Sequence, residues 1–309
     1  MFPDPLKPGD TIGLISPAGS LYEEVAYRQA VQLIQSLGFQ VKCGRYWQAK
    51  WGYLAGTDEQ RVADLHAMFA DTEVKAIIAF RGGWGTARLL PHINFDLIAA
   101  NPKIFMGYSD ITTLLLSIYS QTGLITWHGA VARDLGDDFT LSRLQALLYQ
   151  TPDGNPATSA VLHSSDMLQA DNELIVLKEG TVSGKLLGGN LTVLCSLIGS
   201  RYLPSWKGAI LFLEDVGEST YRIDRLFCQL KLAGILNDIS GIVLGAFTHC
   251  PEGKGDYSRS LEDIFCDYII PLGIPAFAGA RFGHIPQKII LPVGANVYMN
   301  ATQGLLRLI

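Results

Sequence analysis

Charge is scarce in this chain. Asp, Glu, Lys and Arg make up 17% of its 309 residues while 48% are hydrophobic. That balance supports a large buried core and excludes a disordered chain. No basic run occurs, and no Lys/Arg interleaving with aromatics. With a formal net charge of −5 and a pI near 5.7, this excludes a nucleic-acid-binding surface. Nor is there an apolar run of the roughly 20 residues that crosses a bilayer, so no membrane partner is expected. The opening stretch, Met1-Phe2-Pro3-Asp4-Pro5-Leu6-Lys7-Pro8-Gly9-Asp10, has neither a basic n-region nor an apolar h-region. It does not read as a secretory signal, and a cytoplasmic location is expected. The five cysteines (Cys43, Cys195, Cys228, Cys250, Cys266) are odd in number, widely spaced and without C-x-x-C. That excludes a disulfide framework and a cysteine zinc site, and it predicts buried thiols in a reducing compartment. Internal repeats and low-complexity segments are also missing.

What is present is a regular alternation of elements in the first half. Thr11–Ser16, Phe39–Cys43, Lys75–Phe80, Ile104–Met106 and Leu124–Trp127 read as strands. Two capping boxes, Ser20-Leu21-Tyr22-Glu23 and Thr57-Asp58-Glu59-Gln60, open helices between them. The order predicts an α/β fold with a parallel sheet covered on both faces. Residues 1–150 are expected to form this N-terminal domain. Residues 151–172, beginning Thr151-Pro152-Asp153-Gly154, mix turn formers with polar residues and read as a connection. Residues 173–309 are expected to form a β-rich C-terminal α/β domain. In it Gly188-Gly189-Asn190 caps a helix, an apolar strand at 209–213 ends at Glu214-Asp215, and a helix starts near Thr220. Short strands follow near 276–280, 287–291, 296–299 and 305–309.

The segment richest in chemistry is Gly107-Tyr108-Ser109-Asp110, between the strand at 104–106 and the apolar stretch Ile111–Leu116. A strand, a tight turn at a serine and an immediate helix are the layout of a nucleophile elbow, and the helix start supplies N–H groups where an oxyanion would form. The usual second glycine is replaced by Ile111. A Ser-Asp pair opening a helix is also an N-cap pattern, and the sequence leaves both readings open. Arg81-Gly82-Gly83-Trp84-Gly85 lacks the phosphate-loop pattern and follows the third strand, the wrong place for a dinucleotide fingerprint. Its glycines can instead bring an N–H close to a bound carbonyl. Of six histidines, His66 and His92 read as surface residues and His163 as part of the connection. His128 ends a strand of the first domain, and His249 ends an apolar segment beside Cys250. His284 lies in the loop Phe282-Gly283-His284-Ile285-Pro286. The order Ser109, Glu214, His284 is one of several that build a Ser–acid–His triad.

The glycine loop, Pro102-Lys103 with Gly107–Asp110, His128-Gly129, Gly188–Asn190, Leu213-Glu214-Asp215 with Tyr221–Arg225, and Gly283-His284 occur in one order. Together they cover nearly the whole chain, and they resemble the LD-carboxypeptidase family of serine peptidases. The resemblance implies hydrolysis of the bond between an L-centre and a C-terminal D-residue, as in a murein tetrapeptide that loses D-alanine during cell-wall recycling. It implies Ser109 as nucleophile, Glu214 as acid, His284 as base, and the N–H groups of Gly83 and Asp110 as oxyanion donors. Glu218, four residues after Glu214, is a rival acid. Arg81, Trp84 and Tyr108 are the candidate substrate-binding side chains. Trp84 stands where a tyrosine is common in the family and Ala130 where proline is common, which puts substrate preference in question. No metal and no cofactor is needed; the expected partner is a small peptide, and a homodimer is left open. The alternatives are a microcin-immunity-type peptidase acting on an aminoacyl-nucleotide, with Trp84 stacked on the base, and a non-catalytic peptide-binding protein. A glutaminase-like enzyme would need a cysteine where Ser109 stands.

Overall fold

The strand–helix alternation of the first half folds as its pattern predicts. The computed structural model describes residues 1–22, 24–149, 167, 174–253 and 258–309. Glu23 of the first expected capping box, the connection at 151–172 apart from Met167, and His163 lie outside the described residues. The chain divides into two compact units. One comprises Met1–Ala160, Arg201–Pro204 and Ile290–Gly294; the other comprises Val161–Ser200, Ser205–Ile289 and Ala295–Ile309.

In the first unit, β1 (Thr11–Ile15), β2 (Gln40–Cys43), β3 (Val74–Ala79), β4 (Ile104–Gly107) and β5 (Thr126–His128) run parallel in the order β2-β1-β3-β4-β5. Consecutive residues of β4 and β5 are all buried, the signature of a sheet covered on both faces. Between and after the strands lie α1 (Glu24–Ser36), α2 (Asp58–Ala70), α3 (Phe95–Ala100), α4 (Thr112–Thr122) and α5 (Asp138–Leu148). Thr57 caps α2 in the expected box: its hydroxyl accepts from Gln60 N–H (3.3 Å) and Gln60 Oε1 accepts from Thr57 N–H (3.0 Å). The strand order reverses direction between β1 and β3, so the loops after those two strands flank the switch point where such sheets bind ligands.

A sixth strand, Leu291–Val293, pairs antiparallel with β5 at the edge of this sheet. The tail strand expected near 287–291 is thus displaced by a few residues and joins the sheet of the first unit. Pro292 fits there because an edge strand tolerates a missing N–H.

The second unit holds a seven-stranded sheet. Its strands are β6 (Ile175–Lys178), β7 (Thr181–Asn190), β8 (Ile210–Val216), β9 (Gly241–Thr248) and β10 (Ala276–Ala278). With Leu291–Val293 counted as β11, β12 (Asn296–Asn300) and β13 (Leu305–Leu308) complete it in the order β13-β12-β7-β8-β9-β10-β6. The central four strands are parallel and the outer ones antiparallel. Helices Leu191–Ser196, Thr220–Leu232 and Leu261–Ile269 connect the parallel strands. As expected, Asn190 caps the first of them, its Oδ1 accepting from Val193 N–H at 3.0 Å. Gly188 is obligatory because a Cβ there would lie 1.8 Å from the Phe212 carbonyl oxygen of β8. All five cysteines are free thiols. Cys195 is buried as expected, whereas Cys43, Cys228, Cys250 and Cys266 are only half-buried.

Candidate active site

Ser109 follows β4 directly and has a left-handed backbone, φ 63°. Among the described residues His249 (φ 52°) is the one other non-glycine in that region. A side chain costs about 1–2 kcal/mol in this conformation, and such strain gathers at functional sites. The residues after it form a 3-10 turn, Ser109–Ile111, that leads into α4. This is the elbow layout. The N-cap reading of Ser109-Asp110 does not describe it, because neither side chain caps the helix. The missing second glycine is explained by the first: a Cβ on Gly107 would lie 2.8 Å from Ile111 Cγ2. Isoleucine fits after the serine because glycine precedes it.

Asp110 is buried and spends its side chain elsewhere. Its Oδ2 accepts from Thr86 N–H (2.9 Å), and its backbone carbonyl accepts from the Thr86 hydroxyl (2.6 Å). Burial pushes its carboxyl pKa up, and the Thr86 hydrogen bonds and the Arg61 charge oppose that rise. These bonds tie the elbow to the end of the glycine loop. Gly82 lies against the serine: a Cβ there would come within 2.8 Å of Ser109 Cβ and 3.0 Å of its Oγ. Gly83, at φ 124°, is pressed against Gly19 of the loop after β1, and Gly19 N–H donates to Gly82 O at 3.2 Å. The glycine content of the loop is therefore close approach on two sides.

Arg61 completes this arrangement and is not among the residues read from the sequence. It sits on α2 at 1% exposure. Its Nη1 donates to Pro17 O (2.8 Å) and Gly85 O (3.0 Å), and its Nη2 pairs with Asp58, which Arg88 also holds. One guanidinium thus clamps the loops after β1 and β3. Asp58 is kept below the usual carboxylate range by Arg88 and Arg61.

The second unit brings Glu214 and His284 together. His284 Nδ1 lies 2.7 Å from Glu214 Oε2, and Glu214 is fully buried. A carboxylate paired in this way accepts when ionised, and the tautomer that matches it has its proton on Nδ1 and leaves Nε2 as the acceptor nitrogen. Gly283 (φ 108°) makes the approach possible, since a Cβ there would lie 2.9 Å from both Cβ and Oε2 of Glu214. From the end of β9, the Thr248 hydroxyl donates to His284 O (3.3 Å). The two neighbouring acids divide their work. Asp215 accepts from Thr192 N–H (2.9 Å), Thr192 Oγ1 (2.7 Å) and Asn190 Nδ2 (3.1 Å), holding the start of the helix after β7. The rival Glu218 instead pairs with Arg222 at 3.3 Å.

The three substrate-binding candidates are all in the first unit. Arg81 folds back over the glycine loop, its Nη1 donating to Ser20 O (2.9 Å). Trp84 is exposed and meets Tyr53 edge-on at 5.8 Å. Tyr108 is buried, its hydroxyl donating to Asp134 Oδ2 (2.6 Å) and its ring edge-on to buried His128. Of the other histidines, His92 is exposed, whereas His66 is half-buried and its Nε2 accepts from Asn94 N–H at 2.9 Å.

Comparison with known proteins places the chain in a family. Residues 12–129 match the LD-carboxypeptidase N-terminal domain and residues 183–299 the LD-carboxypeptidase C-terminal domain. The chain is 41% identical to the "Probable murein peptide carboxypeptidase" of Bacillus subtilis, across 97% of this chain and 92% of that one. It is 36% identical to the murein tetrapeptide carboxypeptidase of Pseudomonas aeruginosa, across 94% of each. It is 30% identical to the microcin C7 self-immunity protein MccF of Escherichia coli, across 95% and 91%. The solved apo structure of wild-type MccF matches with a TM-score of 0.88 at 26% identity, covering 100% and 98% of the two chains. These matches define a peptidase. Within that class, the chain belongs to the LD-carboxypeptidase family. No helix among the described residues is long and apolar enough to cross a membrane.

Proposed function

We propose that this protein is a cytoplasmic serine carboxypeptidase that releases the C-terminal D-amino acid, D-alanine, from a murein tetrapeptide. The observation that carries the reading is a strained serine at an elbow in one unit together with a buried glutamate on the Nδ1 of a histidine in the other. The names of the Bacillus and Pseudomonas relatives supply the substrate class. In this reading His284 Nε2 takes the Ser109 proton as the serine attacks the scissile carbonyl. Glu214 fixes the tautomer and stabilises the imidazolium. The N–H groups of Gly83 and Asp110 hold the oxyanion, each worth about 3–4 kcal/mol in comparable hydrolases. His284 then protonates the leaving amine, and water releases the acyl group from Ser109.

The experiment is incubation with murein tri-, tetra- and pentapeptides followed by mass spectrometry. Loss of one D-alanine from the tetrapeptide is expected, and an unchanged tetrapeptide overturns the substrate. A second reading, hydrolysis of an aminoacyl-nucleotide, is favoured by the exposed indole of Trp84 beside Gly83 and by the likeness to MccF. Turnover of an aminoacyl sulfamoyl nucleotide in place of the tetrapeptide would select it.

A further inference from the structure

A carboxypeptidase must recognise a free carboxylate one residue beyond the bond it cuts. Two arginines of the first unit border the strand that leads into Ser109. Arg81 follows β3 and Arg133 lies just after β5, and these strands are the two neighbours of β4, which leads into Ser109. Arg133 N–H donates to Phe80 O (3.2 Å), which sets the two arginines side by side in the fold. After burial, the charge of Arg133 is the largest cause holding the Arg81 pKa below its usual value.

The charges of this pair are incompletely balanced. Arg81 makes no ion pair among the described residues, and its Nε is buried with no hydrogen-bond partner among them. Its Nη1 is fixed on Ser20 O and its guanidinium carbon lies 5.7 Å from the Tyr22 ring centre, so the group is held in place. Arg133 pairs through Nε with Asp134 at 3.3 Å, and its side chain is 45% exposed. That carboxylate is shared, because its other oxygen accepts the Tyr108 hydroxyl. Arg133 thus has one carboxylate that is partly spent on Tyr108, and Arg81 beside it has none in an ion pair among the described residues. Like charges at close range are unfavourable, and a second anion relieves the repulsion. Arg81 also borders the loop that touches the serine. Ser109 lies against Gly82, while Arg81 Nη2 is 3.7 Å from the Cβ position of the next residue, Gly83.

We infer that Arg81 and Arg133 together bind the α-carboxylate of the residue being released, with Tyr108 and Asp134 positioning Arg133. The inference rests on Ser109 being the nucleophile. It makes the arginine pair the reason the enzyme acts at chain ends, since a guanidinium fork matches a carboxylate and finds no partner in an internal peptide.

The test compares a tetrapeptide ending in a free carboxylate with the same peptide ending in an amide. Arg133→Gln should raise KM for the free acid about 10–100-fold, within the range for losing a charge-assisted pair. It should leave kcat within about threefold and the slow amide reaction unchanged. Arg133→Lys should recover part of the loss. Equal losses on acid and amide, or no loss on either, overturn the inference. Labelling by a fluorophosphonate keeps the two readings apart. If the wild type is not labelled at Ser109, the nucleophile assignment fails. If Arg133→Gln is labelled normally and still prefers the free acid as strongly as wild type, the carboxylate site alone fails.

Discussion

Around Ser109 the geometry is made of backbone. A left-handed serine, glycines at 82, 83 and 107 that admit close approach, and main-chain carbonyls gathered by Arg61 fix the elbow and its loop. Around His284 it is made of side chains, a buried carboxylate on an imidazole, with one glycine allowing the approach. The difference predicts different fragilities. The first region should suffer from any added atom, and the second from loss of charge.

The largest effect should come from the serine. Ser109→Ala is expected to lower turnover by about 10³-fold or more while circular dichroism stays unchanged. Residual activity above about a tenth would exclude Ser109 as nucleophile. Ser109→Gly sharpens the backbone argument: equally inactive, it should exceed Ser109→Ala in stability by about 1 kcal/mol, because glycine carries no left-handed penalty. Equal stability of the two would mean that φ 63° stores no strain.

Next comes the acid. Glu214→Gln should cut kcat by about 10²–10⁴-fold, and Glu218→Gln by less than about threefold. The reverse ranking would move the acid to Glu218 and cancel the side-chain half of the comparison. Gly283→Ala tests where the two styles meet. Strain at φ 108° and the crowding of Glu214 should cost about 1–3 kcal/mol of stability and lower kcat with it. An alanine variant as stable and active as wild type would show that the His284 loop has room to relax.

The smallest effect concerns the clamp. Asp58 has a depressed pKa in the folded protein, so its contribution is present above its unfolded pKa of about 4 and is lost as pH falls through the lower folded value. Asp58→Asn should therefore reduce stability at neutral pH and flatten its decline on the acid side. Denaturant midpoints measured from pH 7 down to pH 2 would show it, and parallel curves for both proteins would remove Asp58 from the clamp.

Much of this was legible in the residues, for identifiable reasons. The parallel sheet could be read because its strands are continuous apolar runs bounded by capping boxes. The elbow could be read from Gly107 and Ser109 although Ile111 breaks the usual motif. At 214–215 reading was harder: successive strand residues point to opposite faces, and nothing local tells which face holds histidine and which holds Thr192. Arg61 was not legible at all. On a helix surface it looks like any solvated arginine, and its carbonyl partners lie 44 and 24 residues away in sequence. The edge strand at 291–293 was placed with its sequence neighbours because no local signal reports a return to the first sheet.

That return has a consequence for biosynthesis. The sheet carrying Ser109 is closed at the edge of β5 by residues that leave the ribosome after most of the second unit has been made. Until then the nascent first unit presents a bare strand edge, the kind of surface that recruits chaperones or wrong partners. A chain cut short before residue 291 therefore leaves the first unit without its edge strand, however much of the second unit has been made.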